Sequence, residues 1–135
     1  MRKSPLRKKS LTKVSTLKSK LWNLCKLIIR TKHGNVCYTC SRSGLVGINW
    51  HTGHLWPKAS LGAHLKYDLR VLRPQCYNCN INLGGQGAVF FERMTREIGI
   101  ADMDELKKEK QILVDADQTW YENKISVYEE ILENL

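Results

Sequence analysis

Val36-Cys37-Tyr38-Thr39-Cys40 and Gln75-Cys76-Tyr77-Asn78-Cys79-Asn80 are the two stretches that decide the fold of this 135-residue chain. Each holds a Cys-x-x-Cys knuckle, and 35 residues separate Cys40 from Cys76. Two such pairs supply four thiolates able to close a tetrahedron around one zinc ion. Disulfides are the competing use of the same cysteines. Reducing conditions inside a cell, and the convergence of paired knuckles on one point, favour the metal. Four thiolates leave no coordination position for water, so Cys37, Cys40, Cys76 and Cys79 are expected to hold a structural zinc rather than a reactive one. The fifth cysteine, Cys25, falls on the apolar face of a predicted helix and reads as a small buried hydrophobe.

Working outward, residues 35–83 hold four of the five cysteines, three of the four histidines and two of the four tryptophans, and they are the chemical centre of the chain. Gly47-Ile48-Asn49-Trp50-His51 alternates as a short strand does, with a turn at Gly53 beginning or bending its partner. Upstream, residues 1–14 read as an extended or loosely ordered basic arm with a proline at Pro5. A helix follows over residues 15–33, where Leu17, Leu21, Leu24 and Ile28 recur at helical spacing, Trp22 and Cys25 widen the stripe, and Gly34 supplies a stop. Downstream of the Gly84-Gly85-Gln86-Gly87 break, residues 88–98 read as a helix ending at Gly99. A second helix, capped near Asp102, is expected to run through Val114. Tyr121, Ile125, Tyr128, Leu132 and Leu135 form the seam of a last amphipathic helix, which either packs on the domain or pairs two copies of the chain. No internal repeat is visible.

Size and composition suit one compact domain covering residues 15–135, with 42% hydrophobic and 26% charged residues, close to the globular average. A multidomain enzyme is excluded. No apolar run approaches the ~20 residues a bilayer-spanning helix needs, and no signal peptide is recognisable, so a cytoplasmic protein without membrane partners is expected. The net charge of +9 is unevenly placed. No acidic residue precedes Asp68, so residues 1–67 carry +14 and residues 68–135 carry −5. Arg7, Lys8, Lys9, Lys13, Lys18 and Lys20 belong to this basic stretch. Each cation that neutralises a phosphate releases counterions, which suits nucleic acid. A solvated tail, or an arm against an anionic membrane, has the same composition.

The segment His51-Thr52-Gly53-His54, then His64, and Asn80 directly after the last cysteine are the candidates for chemistry. Phosphodiester hydrolysis calls for a base that deprotonates water and a divalent cation held by side-chain ligands. Neutral histidine can be that base near pH 7. Any one of these histidines could instead pack or hydrogen-bond within a small domain. Arg70 and Arg73 could bind phosphate bidentately or be merely solvated.

With TGHLWPKAS followed by QCYNCNINLGG, the chain resembles the HNH, or ββα-metal, nucleases, and more narrowly the phage NinG (Rap) recombination endonuclease family. The likeness covers about residues 10–135 and is most specific from Cys37 to Gly85. It implies an α+β fold: a small treble-clef, zinc-bound ββα core over residues 35–87, flanked by the N-terminal basic helix and by C-terminal helices over residues 88–135. It also implies cleavage of branched DNA such as Holliday junctions and D-loops, with Mg or Mn as the catalytic metal. Under this resemblance His54 is the general base, Asn80 a metal ligand, and His64 either completes the site or contacts phosphate. The class usually has an Asp immediately before the histidine. Here that position is Gly53, so His51, which shares a strand face with position 53, is the candidate substitute ligand. The class also has an asparagine five residues before the third cysteine, and here it is Val71. Either a neighbour such as Asp68 takes over its role or activity is reduced. A non-catalytic zinc module that binds nucleic acid, with structural histidines, is the alternative function.

Overall fold

The computed structural model describes the backbone of residues 4–135 and the side chains from Lys13 onward. Arg7, Lys8 and Lys9 fall outside the described side chains. In chain order the elements are α1 (Ser4–His33), β1 (His51–His54), α2 (Ala63–Lys66), β2 (Leu72–Gln75), α3 (Gly87–Ile98), α4 (Ile100–Glu109) and α5 (Gln118–Glu133). Single 3-10 turns occupy Gly47–Asn49, Lys58–Ser60 and Leu69–Val71, and a π turn occupies Asn78–Asn82. The architecture is helix-rich and mixed, with one two-stranded antiparallel sheet among the described residues. The chain groups into two compact units: the segment through Ile28 with Asp115–Leu135, and Ile29–Val114.

In the first unit α1 begins at Ser4, so residues 4–14 are helical where an extended arm was expected. Lysine, arginine and leucine are good helix formers, and Pro5 lies in the first turn, where a missing N–H costs nothing. The expected apolar stripe is present: Leu21, Leu24, Cys25 and Ile28 are buried. On α5 the Asp117 side chain accepts from Trp120 N at 2.9 Å and so caps the helix, satisfying one of the amides a helix start leaves open. Tyr121, Ile125 and Tyr128 are buried, whereas Leu135, the end of the predicted seam, is exposed. Lys20 Nζ lies 3.7 Å from Glu129 Oε2, an exposed pair joining α1 and α5.

In the second unit α1 ends at Gly34, whose φ of +75° and whose N–H bond to Arg30 O at 2.9 Å make a left-handed helix stop. The predicted strand over residues 47–51 is displaced. Gly47 has φ +55°, and Asn49 N and Trp50 N bond back to Val46 O and Gly47 O, so this stretch is a turn and the strand is His51–His54. Gly53 lies within that strand, not at a turn. The β1-β2 ladder pairs His51 with Gln75, Thr52 with Pro74, Gly53 with Arg73 and His54 with Leu72. Helix α3 stops at Gly99 as expected. Helix α4 ends at Glu109, short of Val114; its buried positions Met103 and Leu106 call next for an apolar residue at 110, which is Lys110.

One approach in the ladder is unusually close. A Cβ built at Gly53 would stand 1.8 Å from Gln75 Oε1. Gln75 is fully buried, and its amide donates to Thr39 Oγ1 at 3.0 Å and to Gly85 O at 2.9 Å. These two bonds hold the carboxamide over Gly53, where Oε1 has no hydrogen-bond partner and rests against the glycine backbone. No side chain fits at 53. Gly53→Ala is therefore expected to destabilise the protein by about 1–3 kcal/mol, the usual cost of overpacking, read as a lower urea midpoint. The penalty should shrink in a Gln75→Ala background, because the two residues are in direct contact.

Candidate functional site

The four knuckle cysteines converge. Their Sγ atoms lie within 4.8 Å of one another, and none is in a disulfide. Cys40 Sγ and Cys76 Sγ are 3.8 Å apart, which is about the edge (~3.8 Å) of a tetrahedron drawn with ~2.3 Å zinc–sulfur bonds. Local hydrogen bonds shape each knuckle: Ser41 N to Cys37 O at 2.9 Å, Cys79 N to Cys76 Sγ at 3.4 Å, and Gly85 N to Cys79 O at 2.8 Å. Cys37, Cys76 and Cys79 are buried with Leu45, and Trp50 packs against them.

The sulfurs cannot all ionise unaided. Burial opposes the Cys37 thiolate, but hydrogen bonds from the Thr39 hydroxyl and from nearby backbone groups outweigh it and bring that thiol down to about 6. Cys79 is pushed up to about 12 by burial, with Cys76, Cys40 and the Cys37 charge adding to the rise. A dication among the sulfurs would remove this conflict, and the donor set is the one that suits zinc. The four cysteines can hold a zinc ion.

Asn80 begins where the second knuckle ends. Its Nδ2 lies 3.0 Å from His51 Nδ1, while His51 Nε2 lies 2.9 Å from Ile48 O. A carbonyl only accepts, so Nε2 carries the proton, Nδ1 keeps its lone pair, and Asn80 donates to it. The Tyr77 ring meets the His51 ring edge-on at 5.3 Å. His51 and Asn80, expected to share a site, are thus brought together. His54 lies three residues along β1, and its Nε2 donates to Lys66 O at 2.9 Å. That bond leaves Nδ1 as the basic nitrogen of the neutral ring. Burial, chiefly, with Lys58 and Lys66 adding to it, lowers the His54 pKa below 6.5 against the opposing pull of the Lys66 carbonyl, so the ring is neutral at pH 7.

The other expected site residues are engaged elsewhere. His64 Nε2 bonds to Glu109 Oε1 at 2.9 Å, away from the His51–Asn80 pair. Arg70 grips Asp68 with Nε and Nη2, at 3.0 and 2.7 Å, and Glu109 with Nη1 and Nη2, at 2.9 and 2.6 Å. Hydrogen bonds from Arg70 and His64 hold Glu109 down at about 2. His64, Asp68 and Glu109 could hold a metal by distance alone, but the Arg70 guanidinium is already hydrogen-bonded to both carboxylates. Arg70 is therefore an ion-pair residue tying the end of α4 to the Leu69–Val71 turn, not a free phosphate ligand. Arg73 is also turned inward: 5% exposed, it donates to Leu72 O at 2.7 Å and Glu97 Oε2 at 2.6 Å. Tyr38 OH donates to the same Glu97 carboxylate at 2.8 Å, so Glu97 ties the first knuckle and β2 to α3. Val71 is fully buried, and its carbonyl accepts from Leu55 N. Asp68, proposed to stand in for the missing asparagine, caps the Leu69–Val71 turn through Arg70 N and pairs with the Arg70 side chain. Gln75, Glu97 and Glu109 do not stand out in the sequence, since each finds its partner 24 to 45 residues away with no local spacing to announce it.

Native mass spectrometry is expected to find one zinc per chain. Cys76→Ser should bring that close to zero and abolish the cooperative thermal transition, since structural zinc is linked to folding by about 10–16 kcal/mol. Cys25→Ser, at the cysteine outside the cluster, should leave the stoichiometry at one.

Among the described residues, no helix is long and apolar enough to cross a membrane. No curated protein and no solved structure matches the chain. The model of the family described as Bacteriophage Lambda NinG protein matches residues 1–132, which is nearly the whole chain and takes in both knuckles, the His51–Asn80 pair and the C-terminal helices. The chain belongs to the NinG family of phage proteins.

Proposed function

We propose that this chain is a metal-dependent DNA endonuclease of the HNH type. Its zinc knuckles would form a treble-clef frame for a ββα site, and its substrates would be branched recombination intermediates such as Holliday junctions and D-loops. The observation that carries the reading is the 3.0 Å approach of Asn80 to His51 Nδ1, immediately beyond Cys79. Cis ligands of an octahedral Mg with ~2.1 Å bonds stand about 3.0 Å apart. An amide turned over presents its oxygen where its nitrogen stood, so His51 Nδ1 and Asn80 Oδ1 are spaced as a ligand pair for Mg or Mn. His51 then serves where a carboxylate is usual, since Gln75 leaves no room for one at Gly53.

In this mechanism the divalent ion supplies charge neutralisation at the scissile phosphate. His54 is the base. Its Nε2–H, anchored on Lys66 O, fixes the ring, and Nδ1 takes the proton from the attacking water. Zinc plays no chemical part with four thiolates around it. It fixes the backbone at Cys79, and through it the start of the Asn80 side chain. Lys13, Lys18 and Lys20, whose side chains are exposed on α1, would contact backbone phosphates together with the more N-terminal cations. Such contacts position DNA without reading its sequence.

The second reading, a non-catalytic zinc module that binds nucleic acid, draws on the fact that both ring nitrogens of His51 are already hydrogen-bonded within the chain. One assay separates the two. Zinc-loaded protein is incubated with a labelled four-way junction, a flap and a linear duplex, with Mg, with Mn or with EDTA. Nicking that requires the divalent ion and falls by about 10²-fold or more in His54→Ala, with zinc content retained, establishes the enzyme. Binding without nicking establishes the module. Because burial depresses the His54 pKa, the acid limb of kcat/KM should be centred below 6.5. A limb centred above 6.5 would point to another base. Deleting residues 1–14 removes six basic residues. The slope of log affinity against log salt should flatten by about 0.9 for each phosphate that the shortened chain leaves unneutralised, and an unchanged slope would mean that the segment does not touch DNA.

A further inference from the structure

Ile48 is 92% exposed, and Val46 is 67% exposed. Ile48 lies in the 3-10 turn ahead of β1 and Val46 is the residue that leads into it; the turn's backbone is braced from several sides. Asn49 N bonds to Val46 O at 3.0 Å, Trp50 N bonds to Gly47 O at 3.1 Å, and Asn49 Oδ1 accepts from Tyr77 N at 2.9 Å. Ile48 O itself accepts from His51 Nε2. A β-branched side chain is thus held out almost entirely in water on a fixed turn, one hydrogen bond from the candidate metal ligand His51. Tyr77, 46% exposed, touches the other side of the same histidine. Single exposed aliphatic side chains are ordinary on protein surfaces; what sets Ile48 apart is its braced backbone and its carbonyl bonded to His51.

We infer that Ile48, backed by Val46, is a wedge that stacks against or between the bases of branched DNA at the point where the helix opens, and so places the adjoining phosphate at His51 and Asn80. The inference rests on the DNA reading above and adds the residue that senses the branch. Charge favours this occupant. The turn lies in the Ile29–Val114 unit, which holds 12 basic and 7 acidic residues, a positive balance that attracts a polyanion and repels another copy of itself. Aliphatic side chains are the groups that proteins insert between base steps, at a cost that is least where stacking is already interrupted. A branch point supplies such an interruption, and an intact duplex does not. The wedge therefore provides branch preference without any hydrogen bond to a base edge.

The test uses the full, zinc-loaded chain and a four-way junction with 2-aminopurine at its centre, beside a linear duplex of the same arms. Wild-type protein should raise the 2-aminopurine emission as the base unstacks. Ile48→Ala, which removes no internal packing, should abolish the rise and weaken junction binding by about tenfold, ~1.4 kcal/mol, with duplex affinity unchanged. Ile48→Leu should restore both. An emission rise that persists in Ile48→Ala, or an equal loss of junction and duplex affinity, overturns the proposal. So does a change confined to sedimentation, which would make the turn an interface between copies of the chain. If the wild type unstacks the junction centre and yet never nicks it, the wedge stands and the endonuclease reading is the one that fails.

Discussion

Four sulfur atoms gathered within 4.8 Å form an electrostatic conflict before they form a binding site. With the sulfurs left to themselves, burial opposes the Cys37 thiolate but hydrogen bonds outweigh it, whereas burial first, and the neighbouring sulfurs after it, push the Cys79 thiol up. A dication would reconcile them, and Cys37, Cys40, Cys76 and Cys79 can hold one. The sulfurs come from two segments far apart in sequence, and the hydrophobic material around them is slight: Leu45 and the flank of Trp50. Coordination would add to this small cluster, while the rest of the unit packs on Leu55, Leu72, Phe90 and Met94.

The histidine site inherits its geometry from this cluster in two directions. Asn80 follows Cys79 directly, so the start of its side chain is placed by the second knuckle. His51 is placed by the other arm, the turn that leads from the first knuckle into β1, with its ring clamped between Ile48 O and Asn80. The carboxylates sit outside this arrangement. Glu97 and Glu109 are used as struts, each neutralising an arginine and accepting from one further side chain, Tyr38 and His64 respectively. Both carboxylates are thereby engaged by Arg73 and Arg70, which precede the second knuckle.

What could be read from the sequence followed from short-range rules. The knuckles, the stripe of Leu21, Leu24, Cys25 and Ile28, the stop at Gly34, the break at Gly99 and the Tyr121-Ile125-Tyr128 face all depend on spacing within a few residues. The pairing of His51 with Asn80 followed from strand alternation together with the resemblance. What escaped were properties decided by distant partners. Arg70 and Arg73 look like phosphate ligands until Asp68, Glu109 and Glu97 fold against them. His64 looks like a site residue until α4 brings Glu109 to it. The strand was misplaced because a left-handed Gly47 converts apparent alternation into a turn, and the arm became helix because nothing in residues 4–14 breaks one.

Gly53 and Gln75 constrain each other's replacement. The carboxamide fills the space into which a side chain at position 53 would project, and that carboxamide is itself tied to Thr39 and Gly85. An acid at 53 fits without strain only beside a smaller residue 75, and a smaller residue 75 gives up the bonds that tie β2 to the first knuckle and to the Gly85 backbone. The two positions behave as one interlocked unit.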